Sequence, residues 1–305
     1  MPEEEIDAGD QDYFSPDWCS LPWSGWVPFD ADRQTFHRLP HEPGVYRIRP
    51  AGKNFLMYVG SSGQPLVTKL AGLRQALRRA DLMPWADPHP EAPGLWAWWV
   101  SWLADSGGAG PVMLECSAAP LDASVAGRKG MESFLLYRYR QERGESPLCN
   151  FGRFHPRYRR STNRNEGKRG GKLAEGQQDN PAGSPGTGPL EPVGRPGDPD
   201  WMGLEWTAFA PLSPEGIGAT APGAGLYLLA DAGTRGIVFI GQSADLVGHL
   251  ADQSRKEDGR ALLFSCHHPD RPVRPHHLRE LENDLIGNFF EQERKVPEFQ
   301  FRKGT

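Results

Sequence analysis

The chain has 305 residues, 38% of them hydrophobic, and a formal net charge of −5. That length holds two domains of ordinary size, and the negative balance excludes recruitment of a polyanion by a global field, so any nucleic-acid affinity rests on a local patch. The four cysteines are scattered with no CxxC pair, a pattern of free thiols in a reducing compartment rather than a disulfide framework.

The first residues, "MPEEEIDAGDQD", are acidic and lack an apolar run, so they do not read as a signal peptide. Residues 1–12 read as disordered and 13–173 as a first domain. "GVYRIRP" and "FLMYVGS" are β-rich runs joined by "AGKN", a hairpin signal. Next, "PLVTKLAGLRQALRRADL" repeats Leu66, Leu70, Leu73 and Leu77, one apolar stripe of a helix with a basic opposite face. The run "GLWAWWVSWL" is too short to span a bilayer and is taken as the third strand. "GRKGMESFLLYRYRQERG" is a helix ending at Gly144. The expected fold is α/β of the α+β type, each domain a three-stranded antiparallel sheet flanked by helices. Localisation is expected to be cytoplasmic, with no membrane contact.

A second feature organises the chain. Segment 174–199 is rich in Pro, Gly and polar residues and reads as a linker; 200–305 then forms a second domain that repeats the first. Asp17, Trp18 and Trp23 match Asp200, Trp201 and Trp206 at an offset of 183. Tyr46, Tyr58 and Gly60 match Tyr227, Phe239 and Gly241 at 181, and Glu132 and Asn150 match Glu282 and Gln300 at 150. The shrinking offset gives the first copy about thirty more residues between its hairpin and its Glu-bearing helix.

The ordered series of a "GVY" strand with Tyr46, a "YVG" strand with Tyr58, a basic residue on the next helix, Glu132 on a later helix and Asn150 after it resembles the GIY-YIG nuclease superfamily. The resemblance is strong over 43–152 and weak over 223–302. It implies phosphodiester hydrolysis in which Tyr46 orients or deprotonates a water, Tyr58 bonds near the scissile phosphate and Glu132 holds one Mg²⁺ or Mn²⁺ ion. A carboxylate is the hard oxygen ligand such an ion takes, and Mg²⁺ keeps several waters. A tyrosine with its ordinary pKa of about 10 is a weak base at neutral pH, so a neighbouring cation is needed. The family's helix arginine falls on Lys69 here, a point charge rather than a fork; Arg74 or Arg78 is the alternative. Asn150 positions the loop or contacts substrate.

In the second copy Phe239 lacks the hydroxyl of Tyr58, His249 stands at the cation's position and Gln300 at that of Asn150, while Tyr227 and Glu282 are retained. That set reads as a degenerate site serving structure or DNA positioning. Residues 150–173 carry Arg153, Arg157, Arg159, Arg160, Arg164, Lys168, Arg169 and Lys172 against one acid, Glu166, with Phe151, Phe154 and Tyr158 interleaved. Phosphate neutralisation dominates nucleic-acid affinity and aromatic rings stack on bases, so this arm is the expected DNA contact. "CHHPDRPVRPHH" at 266–277 has zinc-ligand residue types without the spacing of a common zinc module and reads as a solvent-facing loop.

The expectation is a divalent-metal-dependent DNA endonuclease, with restriction or phage defence as the setting by analogy. One working site cuts one strand, so double-strand cleavage requires self-association or two encounters. The alternatives are a non-catalytic DNA-binding or scaffold protein on the same fold, favoured by Lys69 in place of arginine, and a structure-specific repair nuclease.

Overall fold

The computed structural model describes residues 12–105, 113–255 and 260–302; the segment expected to be disordered, 1–12, lies outside them except for its last residue. Contacts divide the chain into two compact units, Met1–Ser124 with Ser146–Pro185, and Val125–Glu145 with Gly186–Thr305.

In the first unit β1 (Val27–Pro28), α1 (Arg33–Phe36), β2 (Gly44–Pro50), β3 (Tyr58–Ser62), α2 (Leu66–Leu77), α3 (Ala92–Asp105) and β4 (Leu114–Pro120) follow in order. The sheet is antiparallel with order β1-β4-β2-β3. β2 is its central strand: Tyr46 faces Gly60 on one side and Ala118 on the other. Leu66, Leu70, Leu73 and Leu77 of α2 are all buried in the core cluster, as their spacing requires.

Helix α4 (Val125–Arg143) ends at Gly144 with φ +79°, a left-handed conformation that favours glycine. It groups with the second unit. That unit also holds β7 (Ala210–Pro211), α5 (Pro214–Gly218), β8 (Gly225–Asp231), β9 (Ile237–Ser243), α6 (Leu246–Arg255), β10 (Leu262–His267) and α7 (Pro275–Glu293), on which α4 packs; the first unit also holds the short hairpin β5 (Tyr158–Arg159) and β6 (Gly171–Lys172). The second sheet has order β7-β10-β8-β9, the same path as the first.

The internal repeat extends to detail. Trp23 Nε1 donates to Trp18 O at 2.9 Å, and Trp206 Nε1 to Trp201 O at 3.0 Å. The residues following the first tryptophan of each pair, Cys19 and Met202, have φ of 54° and 60°.

Three expectations need correction. Each main sheet has four strands, because the short β1 and β7 add to the edge of β4 and β10. "GLWAWWVSWL" is helical, not a strand: it lies within α3. Its apolar residues are continuous enough to fit either period, and the true third strand is the less apolar "LECSAAP" of β4. Segment 174–199 is not an empty linker. Asn180 bonds Tyr158 O through Nδ2 and caps a short turn through Oδ1, and Leu190 is buried with its N–H on Asp284 Oδ2 at 3.0 Å.

The second unit is pinned by a buried ion cluster. Arg140, Glu280 and Asp284 are each fully buried. Arg140 Nε lies 2.8 Å from Asp284 Oδ1, and its Nη2 donates to Asp284 Oδ2 at 3.1 Å and to Gly188 O at 2.9 Å. Glu280 Oε2 accepts from Thr187 N at 2.7 Å. Burial pushes the Asp284 carboxyl up, against the pull of Arg140. Asn283 Nδ2 donates to Ser133 O at 3.2 Å, and Asn288 Nδ2 to Tyr137 Oη at 3.3 Å, tying α7 to α4.

In the first unit Arg47, fully buried, closes the N-terminal segment over the sheet. It donates to Tyr13 O and Ser15 O at 2.5 and 2.8 Å and lies over the Trp23 ring at 4.2 Å. Burial pulls its guanidinium down to about 9. Among the described residues no helix is long and apolar enough to cross a membrane.

Candidate active site

Tyr46 and Tyr58 sit on adjacent strands, β2 and β3, with ring centroids 5.9 Å apart. Gly60, paired with Tyr46 in the ladder, makes room for both rings: a Cβ there would approach Tyr58 Cε1 to 2.6 Å and Tyr46 Oη to 2.9 Å. A side chain at position 60 displaces the tyrosines, which gives the third residue of "YVG" a steric reason.

The Tyr46 hydroxyl donates to Glu91 Oε1 at 2.9 Å. Lys69 Nζ, from α2, lies 2.9 Å from the same oxygen and 3.1 Å from His89 Nδ1. Glu91 is almost entirely buried. Burial raises its pKa, but the nearby His89 ring and the Lys69 ammonium overcome that and hold the carboxyl at about 2, so it is a carboxylate at any physiological pH. The His89 ring rests against α2 at Gly72, where a Cβ would approach Nε2 to 2.7 Å. Tyr46, Lys69, His89 and Glu91 are one hydrogen-bonded unit, and Glu91 Oε2 is buried with no hydrogen-bond partner.

His89 and Glu91 escaped the sequence reading. They lie in "DPHPEAPG", within the extra residues that the first copy carries. A His and a Glu two apart in a Pro-rich loop give no periodic signal; only the length difference between the copies marks the insertion as a place to look.

The other expected residues fall as follows. Arg74 Nη2 donates to Ala31 O at 2.6 Å and its guanidinium lies over Phe36, so Lys69 and not Arg74 is the cation at Tyr46. Asn150 is buried and bridges the backbone of Val59, accepting from its N–H at 3.0 Å and donating to its carbonyl at 2.8 Å; it positions β3. Glu132 is half-buried on α4, in the compact unit that does not contain Tyr46.

The second unit repeats the arrangement with different chemistry. Tyr227 Oη and His249 Nε2 are 2.9 Å apart, and Gln253 Nε2 lies 3.2 Å from the same ring nitrogen. Phe239 stacks beside Tyr227 at 5.8 Å. Burial raises the Tyr227 hydroxyl, and the Glu282 carboxylate adds to that. Glu282 is itself pushed up to about 8 by desolvation, against Arg279 and the Gln242 backbone. Gln300 accepts from Ile240 N at 3.0 Å, as Asn150 does from Val59, so the longer side chain keeps the structural bond.

The basic arm is packed rather than loose. Phe154 and Tyr158 are core residues, so their rings are not open to bases; their burial follows from the aromatic and apolar neighbours of the first-unit core. Arg153 donates to Ser146 O at 2.7 Å, Arg157 to Gln177 O at 3.0 Å and to Asp179 at 2.8 Å, Arg160 to Pro90 O, and Arg169 to Met83 O at 2.6 Å. Arg159, Arg164, Lys168 and Lys172 are exposed. In "CHHPDRPVRPHH", Cys266 and His276 are buried rather than solvent-facing.

Among the described residues no group of three or more His, Cys, Asp or Glu side chains is placed to hold a metal ion. The Tyr46 cluster does not fit a divalent ion, because the Lys69 ammonium already sits on the Glu91 carboxylate. Glu132, the carboxylate expected to hold a divalent ion, is half-buried. Comparison with protein-family models, curated proteins and solved structures finds no match to this chain.

Proposed function

We propose that the chain is a DNA endonuclease hydrolysing phosphodiester bonds in the manner of the GIY-YIG superfamily, with its working site at Tyr46. The observation that carries this reading is the tyrosine pair over Gly60 with the Tyr46 hydroxyl directed at Glu91. A phenol that donates a hydrogen bond to a carboxylate keeps its proton, and its oxygen lone pairs are the atoms that would act on a water in this reading. Lys69 supplies the neighbouring positive charge that a weak tyrosine base needs and that a phosphate attracts. Glu91 orients both, and Asn150 holds β3 and so Tyr58 in register.

Glu132 would hold the Mg²⁺ or Mn²⁺ ion in this reading, and the ion would neutralise phosphate charge and acidify its bound water. The tyrosine of the second unit is bonded to an imidazole and lacks a Tyr58 counterpart, which supports an accessory role there. A cytoplasmic setting and self-association for double-strand cutting belong to the same reading.

A second reading, a non-catalytic DNA-binding protein on the same fold, is favoured by two observations. Tyr46 is 1% exposed, and Lys69 is neutralised by Glu91. Incubating the full chain with supercoiled plasmid and Mg²⁺ or Mn²⁺ separates them. Nicked or linear product from wild type, absent with Glu132→Ala, supports the nuclease; salt-sensitive DNA retention with no product supports the binding protein.

A further inference from the structure

Beside the tyrosine cluster the first unit has a cleft of about 650 Å³, bounded by the inserted loop on one side and by the basic hairpin on the other. Its walls include Arg79, Trp85, Asp87, His89, Arg164 and Arg169. The volume is within the range of about 300–1,000 Å³ that small-molecule sites occupy. Three guanidinium groups face one carboxylate, so the lining is net positive in a chain that is net negative.

Arg169 lies over the Trp85 ring at 4.2 Å and is held there by Met83 O at 2.6 Å, so a flat indole–guanidinium platform is built into the wall. Asp87 fixes another part of the wall: its Oδ1 accepts from the Arg164 backbone N–H at 2.6 Å, and the Arg164 side chain is exposed. Arg79 pairs with Asp81 at 2.8 Å, both side chains about two-thirds exposed. Such exposed pairs contribute little, so a phosphate can compete for that guanidinium. His89 links the cleft to Lys69 and Glu91.

We infer that this cleft binds one nucleotide unit of single-stranded nucleic acid, its base against the Trp85–Arg169 platform and its phosphates on Arg79 and Arg164. An aromatic platform inside a concave wall takes an unstacked base, which a duplex does not present, and the two exposed arginines Arg79 and Arg164 suit backbone phosphates. The inference rests on the nucleic-acid reading above but not on catalysis. It also redistributes the basic arm: Arg164 and Arg169 serve the cleft, whereas Arg153, Arg157 and Arg160 hold the protein's own carbonyls.

The test is anisotropy of a short fluorescein-labelled single-stranded oligonucleotide with the full chain in EDTA, with the matching duplex and a free 5′-mononucleotide as the other arms. Single strand is expected to bind more tightly than duplex. Arg79→Glu with Arg164→Glu should weaken it at least about tenfold and flatten the log–log salt slope by about 1 to 2, and Trp85→Ala should weaken it about tenfold. Arg195→Glu, the same substitution made once on the exposed surface of the second unit, should leave affinity within about twofold of wild type. Wild-type affinity in the cleft variants, an equal loss in Arg195→Glu, preference for duplex, or binding of the mononucleotide alone each overturns the inference. Because no metal is present, strand binding by a chain that never cuts plasmid sinks the nuclease reading and leaves the cleft standing. Cutting that persists in cleft variants of unchanged affinity does the reverse.

Discussion

Glu91→Gln is expected to cost the chain at least about 100-fold in DNA-cleavage rate, the scale of losing a preorganised charge at a reacting centre, while leaving most of its secondary structure intact. The amide fills the same volume and its oxygen can still accept from the Tyr46 hydroxyl, but it lacks the charge that holds the Lys69 ammonium 2.9 Å away. Lys69 then loses its fixed place, and the Tyr46 oxygen loses the positive charge held beside it. The same carboxylate makes a stability prediction with a definite sign. Its pKa falls from the ordinary 4.5 to about 2 on folding, so its contribution is fully present above about pH 4.5 and is lost as pH falls towards 2. Denaturation midpoints of wild type and Glu91→Gln should therefore converge on acidification through that window. Equal cleavage rates for the two proteins at neutral pH, with Glu91→Gln folded by circular dichroism, would remove Glu91 from the site.

Arg140→Met should produce the largest loss of stability in the second unit, roughly 3–5 kcal/mol, because it strands two buried carboxylates without their cation. Set against a typical total of about 5–15 kcal/mol, that brings the unit close to unfolding at ambient temperature. The loss comes from uncompensated charge more than from the ion pairs themselves, and a companion variant separates the two. Arg140→Met combined with Glu280→Gln and Asp284→Asn keeps the volumes and removes the charges, and it should recover a good part of the midpoint in denaturant. If the single variant unfolds at the wild-type midpoint, the buried cluster is not what holds α4, α7 and the 186–190 strand of chain together.

Much of the fold was legible because it rests on local pattern. The β2–β3 hairpin, the leucine stripe of α2 and the glycine stop after α4 are each written in a few adjacent residues, and the Trp18/Trp23 and Trp201/Trp206 repeats gave the duplication away. Three things were not legible, each for a physical reason. A continuous apolar run such as that of α3 lacks the polar interruptions that separate a period of two from one of 3.6. The Pro- and Gly-rich segment 174–199 looked empty because few of its residues are apolar and many of its bonds are made by backbone groups, captured by the carboxylates of Glu280 and Asp284 about a hundred residues away. The grouping of α4 with the second unit depends on packing against α7, including Ser133 on Asn283 and Tyr137 on Asn288, which no local window reports.

The candidate site divides in the same way. Tyr46, Tyr58 and Lys69 were marked by the motif resemblance, and they lie in one place. Glu91 and His89 were not, because their role depends on an insertion folding back onto α2. The arm's eight cations were visible but their use was not: charge counts cannot distinguish an arginine that meets a phosphate from one, such as Arg157, that satisfies Gln177 O and Ala174 O.

Action of the Tyr46 hydroxyl on a phosphodiester is tested most directly by removing that one oxygen. Initial rates of supercoiled-plasmid nicking in Mg²⁺ should be compared for wild type, Tyr46→Phe and Tyr227→Phe, substitutions that keep each ring and remove one oxygen. The account predicts cleavage by wild type, a loss of at least about 100-fold in Tyr46→Phe and near wild-type rates in Tyr227→Phe. Wild-type cleavage by Tyr46→Phe, or no cleavage by any of the three under conditions where all bind DNA, would contradict it.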